Sequence, residues 1–149
     1  MAQAMDEAYK NGYQDGRTQG FYAGIEASSE SKKEQSKPNK KQLVYLAAPY
    51  SHSDPKVIEE RVSKINKKAA ELMDEGYIVF SPISHSHPIA DHVGNHQDHD
   101  FWLHQDLEFL NRVDHMMIFT LDGWDESFGI QEEIRHWKKL TGKDPEFVN

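Results

Sequence analysis

Short apolar runs alternate with amphipathic stretches from residue 42 onward, and this alternation constrains the fold more than any other feature. The runs QLVYLA (42–47), YIVF (77–80) and HMMIFT (115–120) are typical of buried strands. After the first run, apolar residues recur at helical spacing, at Ile58, Val62, Ile65, Ala69 and Leu72. Strands that alternate with helices usually form a parallel sheet. We therefore predict an α/β fold, a small three-layer Rossmann- or flavodoxin-like parallel sheet with flanking helices.

Caps and helix breakers give the expected bounds of these elements. The first helix should begin near Pro55, where proline fits the first turn, and stop at Gly76. Residues 81–99 are rich in His, Pro and Ser, and we predict a long loop there. Two further helices and a last short strand are expected at 100–112, 128–141 and 147–148.

Residues 1–41 differ in composition from the rest, so we assign them to an N-terminal arm that precedes a domain of residues 42–149. The stretch 28–41 is polar and typical of a linker. Before it, glycine recurs every fourth residue, at Gly12, Gly16, Gly20 and Gly24. Such a stripe fits a helix used for oligomerisation. Because each glycine costs a helix about 1 kcal/mol, a partly disordered arm is the favoured alternative.

Composition excludes several classes of function. The 149 residues carry a net charge of −8, which disfavours a DNA or RNA polymer as partner because clustered Lys and Arg bind phosphate backbones. The absence of cysteine excludes disulfides, thiolate catalysis and Cys-based zinc sites. No signal peptide and no apolar run long enough to span a bilayer are visible. We therefore expect a cytoplasmic protein that does not contact a membrane.

Two carboxylates occupy the apolar faces of predicted helices. Glu133 falls inside the stripe of the last helix, whereas its neighbour Glu132 falls on the outer face. In the preceding helix, Asp106 shares a stripe with Trp102 and Phe109. The stripe around Glu133 consists of Ile130, Ile134, Trp137 and Leu140. Burial of a carboxylate is costly and raises its pKa, so these acids either cap or pair with other groups or serve a function. Two carboxylates at one cleft suit glycosidic chemistry, in which one attacks the anomeric carbon and the other transfers protons at the leaving group.

The carboxyl ends of the predicted strands are the expected binding site, because ligands of parallel sheets bind there. These ends fall at 47–53, 81–87 and 121–129, and each is rich in polar residues or glycine. His85 directly follows the second strand and is the histidine that we expect in the site. Trp124 lies at the exit of the third strand and either stacks on a base or packs in the core.

Five histidines crowd residues 85–99. Two of them, His92 and His96, have the i, i+4 spacing of a metal-binding pair. Because no HExxH context or matched carboxylate accompanies the pair, we expect no bound metal and no cofactor. The preferred interpretation is a loop that lines the substrate site or is solvated.

Several segments together resemble the nucleoside 2-deoxyribosyltransferase superfamily. They are VYLAAPYS (44–51), GYIVFSPISH (76–85), WLHQDLEFL (102–110), VDHMMIF (113–119) and GWDESFGIQEEI (123–134). The most specific element is Ser-x-Gly-x-x-x-Glu, formed by Ser127, Gly129 and Glu133. Within the superfamily the chain is similar to a branch of small uncharacterised domains common in phages and bacteria.

The resemblance implies roles for the matching residues. Glu133 matches the nucleophile that forms a glycosyl ester at C1′, Asp106 the acid that contacts the sugar and base, and Tyr45 an aromatic residue near the nucleophile. Ser127 matches a phosphate-binding serine of the deoxynucleoside 5′-monophosphate N-hydrolases, and it is also placed to cap a helix. The other expected substrate-binding residues are Gly129, Pro49, Ser51, His52, His85 and Trp124.

The first loop departs from the pattern of the monophosphate hydrolases. It reads APYSH (48–52) and lacks their glycines and arginine, which leaves His52, Ser51 or Arg61 as candidate substitutes in a phosphate pocket. The resemblance also implies sites formed at subunit contacts, and hence at least a homodimer.

These observations favour an enzyme that hydrolyses or transfers at the N-glycosidic bond of a deoxynucleoside or deoxynucleoside 5′-monophosphate, with Glu133 as nucleophile. The alternative is a non-catalytic module that senses or sequesters a nucleotide. A further alternative is a metal-dependent hydrolase that uses the histidine-rich segment. The expected partner is a small nucleoside or nucleotide.

Overall fold

The computed structural model describes residues 41–94 and 98–149. Within them the chain forms a four-stranded parallel sheet in the order β2-β1-β3-β4. The strands are β1 (Leu43–Ala47), β2 (Ile78–Phe80), β3 (His115–Phe119) and β4 (Glu146–Val148). The helices are α1 (Pro55–Asp74), α2 (Pro82–Ala90), α3 (His99–Leu110) and α4 (Phe128–Thr141), with a 3-10 turn at Trp124–Glu126. The predicted α/β class is confirmed.

Both faces of β1 are buried, as in sheets that helices cover on two sides. Val44 and Leu46 lie in a core shared with α1 and α2. Tyr45 and Ala47, which alternate with them, lie in a second core shared with α3 and α4. The predicted three layers are therefore present, with two helices on each face of the sheet.

The apolar stripes of the helices decide how they pack. In α1 the buried residues are those whose spacing predicted the helix, namely Val62, Ile65, Ala69 and Leu72. The stripe of α4 is shorter than predicted. Ile130, Glu133 and Trp137 are buried, but Leu140 is 51% exposed because it lies in the last turn, beyond the packed part of the helix.

The loop predicted at residues 81–99 is wrong in its first half, because Pro82–Ala90 is helical. The Ser81 hydroxyl caps this helix by accepting the backbone N–H of Ser84 at 3.4 Å. Pro82 occupies the first helical turn, where its fixed φ fits and its missing N–H is not needed. The strand end and the helix start therefore meet at Ser81, with no loop between them.

The predicted N-terminal arm and its glycine stripe at 12–24 lie outside the described residues. The division at residue 41 therefore stays a prediction. Among residues 41–94 and 98–149, no helix combines the length and the apolar character that a bilayer crossing requires.

Candidate active site

A cleft of about 660 Å³ opens at the carboxyl ends of β1 and β3. Its walls come from the loop after β1, from α2 and α3, and from the connection between β3 and α4. This is where ligands bind in open parallel sheets, at the point where consecutive connections leave a central strand in opposite directions. The topology therefore explains why polar residues from distant parts of the chain meet there.

Glu133 projects from the second turn of α4 into the wall of this cleft and is only 6% exposed. Its Oε2 atom has no hydrogen-bond partner among the described residues. Burial is the main reason that the pKa of Glu133 rises to about 8, and the negative charge of Asp106 adds to the rise. Glu132 is different: it lies half-buried on the other side of the helix and forms an ion pair with Arg135. The structure thus separates two adjacent glutamates into a buried acid and a paired one.

Asp106 reaches the same cleft from α3, on the opposite wall. Burial raises its pKa to about 7. Two carboxyl groups at one cleft therefore hold or release protons near neutral pH, which is the range that acid–base chemistry in a cell requires.

Tyr45 lies beneath the cleft rather than in its wall. Its side chain is fully buried on the central strand, and its ring packs against Phe80 with centroids 6.0 Å apart. The Tyr45 hydroxyl also lacks a hydrogen-bond partner within the described residues. It is nevertheless close enough to the Glu133 carboxyl to oppose part of the rise in the pKa of Glu133. Burial and the neighbouring carboxylates raise the pKa of Tyr45 well above its usual value. The hydroxyl therefore keeps its proton.

Gly129 is a point on which three polar side chains converge. A Cβ atom placed there would lie 3.8 Å from Glu133 Oε1, 3.8 Å from His99 Cε1 and 3.9 Å from Ser127 Oγ. Ser127 caps α4, and its Oγ accepts the backbone N–H of Ile130 at 3.4 Å. The cap leaves the hydroxyl proton of Ser127 free to be donated elsewhere. The first amides of α4 also have no acceptor within the helix. This part of the cleft is therefore suited to an anion or to sugar hydroxyl groups.

The loop after β1 brings Pro49, Ser51 and His52 to the cleft. His52 Nδ1 accepts the backbone N–H of Asp54 at 2.9 Å, which ties the loop to the start of α1. Arg61 also reaches the cleft, from the second turn of α1. In sequence Arg61 is far from the β3–α4 connection. Spacing alone could therefore name it only as one of three candidates for a phosphate pocket.

Two residues expected in the cleft lie outside its lining. His85 is on the exposed side of α2, where its ring lies 5.6 Å from Phe80 and 5.7 Å from Phe109, beside a separate pocket of about 170 Å³. Trp124 packs against Phe147 with ring centroids 5.2 Å apart and joins the core under α4. These contacts fit the core-packing alternative, and stacking of Trp124 on a base stays a prediction.

Sequence reasoning missed several residues that line the cleft. Trp102 lies one helical turn before Asp106, and their shared stripe was the available signal. Phe128 is 61% exposed and forms an edge contact with His99, with ring centroids 4.7 Å apart. No periodic pattern marks Phe128, because it precedes the packed part of α4. Its contact with His99 follows only from how α3 and α4 pack.

Of the two histidines with the spacing of a metal-binding pair, His92 is exposed and His96 lies outside the described residues. In the part of the chain that the structure describes, no three His, Asp or Glu side chains are grouped so that they could hold a metal ion.

Comparisons with known proteins add a family and a fold. The model of the family described as "Domain of unknown function (DUF1937)" matches residues 42–144. A solved structure of a 2-deoxyribosyltransferase from Bacillus psychrosaccharolyticus is similar, with a TM-score of 0.51 and 24% sequence identity over 70% of each chain. At this identity the likeness shows a shared fold. No curated protein matches the sequence.

Proposed function

Since the chain belongs to the family described as "Domain of unknown function (DUF1937)", which assigns no activity, we propose its function from the cleft. The proposed reaction is cleavage of the N-glycosidic bond of a deoxynucleoside or deoxynucleoside 5′-monophosphate, by hydrolysis or by transfer to a second base. Glu133 is the nucleophile. The observation that carries the proposal is the buried Glu133 carboxyl, in a cleft that also holds Asp106. Within the part of the chain that the structure describes, Glu133 Oε2 has no hydrogen-bond partner.

In the proposed first step, a Glu133 carboxylate oxygen attacks C1′ of the sugar, and the C1′–N bond breaks with its electron pair moving to the base. Asp106 donates a proton to the leaving nitrogen, because its raised pKa keeps it partly protonated near neutral pH. The product is a free base and a sugar ester of Glu133. Water or a second base then attacks C1′, gives up a proton to Asp106 and releases the Glu133 carboxylate.

Tyr45 and the positive charge that develops on the sugar both favour the ionised form of Glu133. Glu133 must lose its proton before it attacks, although burial favours the protonated form. The nearby Tyr45 hydroxyl favours the carboxylate, because it lowers the pKa of Glu133, and the positive charge that develops at C1′ favours it further. The fold of the similar 2-deoxyribosyltransferase supports this class of reaction, since the same kind of sheet carries glycosyl transfer there.

The decisive experiment is an assay for free base with a panel of deoxynucleosides and their 5′-monophosphates. We expect the wild-type protein to release base, and Glu133→Gln to lower the rate by more than about 100-fold because an amide does not attack C1′. Glu132→Gln is the matched control on the same helix and should change the rate little. Equal loss in both variants would contradict the assignment of Glu133. Nucleotide binding without base release from any substrate would favour the non-catalytic alternative.

A further inference from the structure

Arg61 lines the same cleft as Asp106 and Glu133, and among the described residues it is the one Lys or Arg side chain that does so. Arg61 Nη1 donates to the backbone carbonyl of Ser51 at 2.8 Å, and Nη2 donates to the carbonyl of Asp122 at 3.1 Å. Backbone carbonyls are neutral, so these bonds orient the guanidinium without cancelling its charge. Among the described residues, no carboxylate lies within ion-pair distance of Arg61.

The backbone next to Arg61 is shaped to hold the guanidinium in this place. Gly123 has a φ of +88°, in the left-handed region that favours glycine. A Cβ atom on Gly123 would lie 2.9 Å from Arg61 Nη2, so any larger residue would push the guanidinium out of this position. Glycine at this position therefore satisfies two requirements at once, the turn after β3 and the space for the guanidinium.

Arg61 and Ser127 flank one short connection. The connection begins at Gly123, which lies next to the guanidinium, and continues through the 3-10 turn. It ends at Ser127, whose backbone N–H donates to the Trp124 carbonyl at 3.3 Å. Both Arg61 and Ser127 line the cleft, and Ser127 Oγ shares its surroundings with Glu133 Oε1 around Gly129. A group held between Arg61 and the start of α4 therefore lies in the same cleft as Glu133.

The donors left on Arg61 fit a phosphate group. A guanidinium has five N–H donors, and the two backbone carbonyls take one from each terminal nitrogen. The remaining donors lie in one plane, as bidentate phosphate recognition requires. The Ser127 hydroxyl and the first amides of α4 add further donors to the same anion.

We propose that Arg61 binds the 5′-phosphate of the substrate and so determines a preference for deoxynucleoside 5′-monophosphates over free deoxynucleosides. This inference rests on the proposed function, because it assumes that the sugar is held at Glu133. The phosphate is remote from the bond that breaks, so its binding energy serves to position C1′ against the Glu133 carboxylate.

The test compares kcat/KM for a deoxynucleoside and its 5′-monophosphate. We expect Arg61→Gln to lower kcat/KM for the monophosphate by about 10- to 100-fold, mainly through KM, while the value for the free nucleoside changes less than about 2-fold. Arg61→Lys keeps the charge but loses the planar fork, so an intermediate loss is expected. Lys64→Gln removes one exposed charge from the same helix and should change neither value. Equal losses for both substrates would reduce Arg61 to a structural link between two loops, and no loss for either would also overturn the proposal.

A binding measurement separates this inference from the proposed reaction. In a Glu133→Gln background, titration calorimetry with the monophosphate and with inorganic phosphate reports binding without turnover. Adding Arg61→Gln should weaken both by at least about 10-fold, and Arg61→Lys serves in its place if Arg61→Gln lacks a cooperative thermal transition. If this holds and no base is ever released, the proposed reaction fails and Arg61 remains an anion-binding residue. If base is released and Arg61→Gln binds phosphate as well as its parent, the reaction stands and the Arg61 assignment fails.

Discussion

At the scale of single residues, the position of Glu133 on its helix was the most informative signal in the sequence. A carboxylate three residues after Ile130 and four before Trp137 must face the same core as they do. The structure buries it there, beside the Tyr45 hydroxyl, and neither Glu133 Oε2 nor this hydroxyl has a hydrogen-bond partner among residues 41–94 and 98–149. Unsatisfied buried polar groups cost stability, and the proposed role of Glu133 as nucleophile would explain why the chain holds two of them together.

That cost gives a prediction for the Glu133→Gln variant. The Glu133 carboxyl ionises near pH 4.5 in the unfolded chain, but burial raises its pKa to about 8 in the folded protein. Between these values the folded protein binds more protons than the unfolded chain, so the free energy of unfolding falls as the pH rises. The loss is complete above pH 8 and amounts to at most about 5 kcal/mol. Glutamine does not ionise, so Glu133→Gln should gain stability over the wild type as the pH rises.

Thermal unfolding at about pH 5 and about pH 9 measures this difference. The Tm of Glu133→Gln relative to the wild type should be higher at the alkaline pH. Glu132→Gln controls for the loss of one carboxylate from the same helix. A Tm difference that does not grow with pH would contradict a buried charge at Glu133.

Arg61 shows what sequence reasoning does not reach at this scale. Its two carbonyl partners, at Ser51 and Asp122, follow different strands, and the second is far from Arg61 in sequence. Periodicity describes which face of one element a residue occupies, but not which loops two strands bring together. The helix position of Arg61 was visible, whereas its contacts depend on the order of strands in the sheet.

At the scale of helices and strands, short apolar runs predicted β1, β2 and β3, and helical periodicity predicted α1 and α4. It failed for α2, whose sequence PISHSHPIA alternates small, polar and apolar residues without a continuous stripe. The local signals for a helix were present, in a serine cap followed by proline, but the composition resembled that of a loop. Only Pro82 and Ile83 of this helix are buried, so it has no apolar stripe from which periodicity could predict it.

The cap of α4 gives a prediction at this scale. Ser127→Ala removes an acceptor for the Ile130 amide and should lower the free energy of unfolding by about 0.5–2 kcal/mol. If Ser127 also donates to a substrate phosphate, the same variant lowers the ratio of kcat/KM for the monophosphate to kcat/KM for the free nucleoside. The loss in transition-state binding of the monophosphate should be about 1–3 kcal/mol. Thermal unfolding and the ratio of kcat/KM values measure the two effects separately.

Ser81→Ala is the matched control, since Ser81 caps α2 with the same kind of bond and does not line the cleft. Both variants should lose stability, but Ser127→Ala alone should change the ratio of kcat/KM values. An unchanged ratio in Ser127→Ala would reject the phosphate contact and leave Ser127 as a helix cap. Faster cleavage of the free nucleoside than of the monophosphate by the wild type would have the same consequence.

At the scale of the whole molecule, the strand order explains the site. From β1 the chain crosses to β2 on one side and then returns to β3 on the other, so the connections diverge above the central strand. The alternation of strands and helices predicted this class of sheet, but the order of its strands came only from the structure. The sequence could therefore identify single candidate residues on different connections. It could not show that they meet in one cleft.

We also predict a homodimer or larger homo-oligomer. The resemblance of the sequence implies sites formed at subunit contacts. Large apolar side chains are exposed on each of the four described helices, at Met73, Ile89, Phe109, Phe128 and Leu140. Light scattering after size-exclusion chromatography should give a mass at least twice that of one chain. A mass of one chain at every concentration would contradict this prediction and would place the whole site within a single protomer.

The central position of β1 also affects how the chain folds during its synthesis on the ribosome. β1 is the first strand to be synthesised among the described residues, but its partners, such as Ile78 and His115, belong to segments made later. Parallel pairing needs a long crossover, so the strand that is most buried in the finished protein spends the longest time unpaired during translation. An emerging chain that ends before β3 exposes the apolar edge of Val44–Ala47, and it is this intermediate that a chaperone for nascent chains would have to shield.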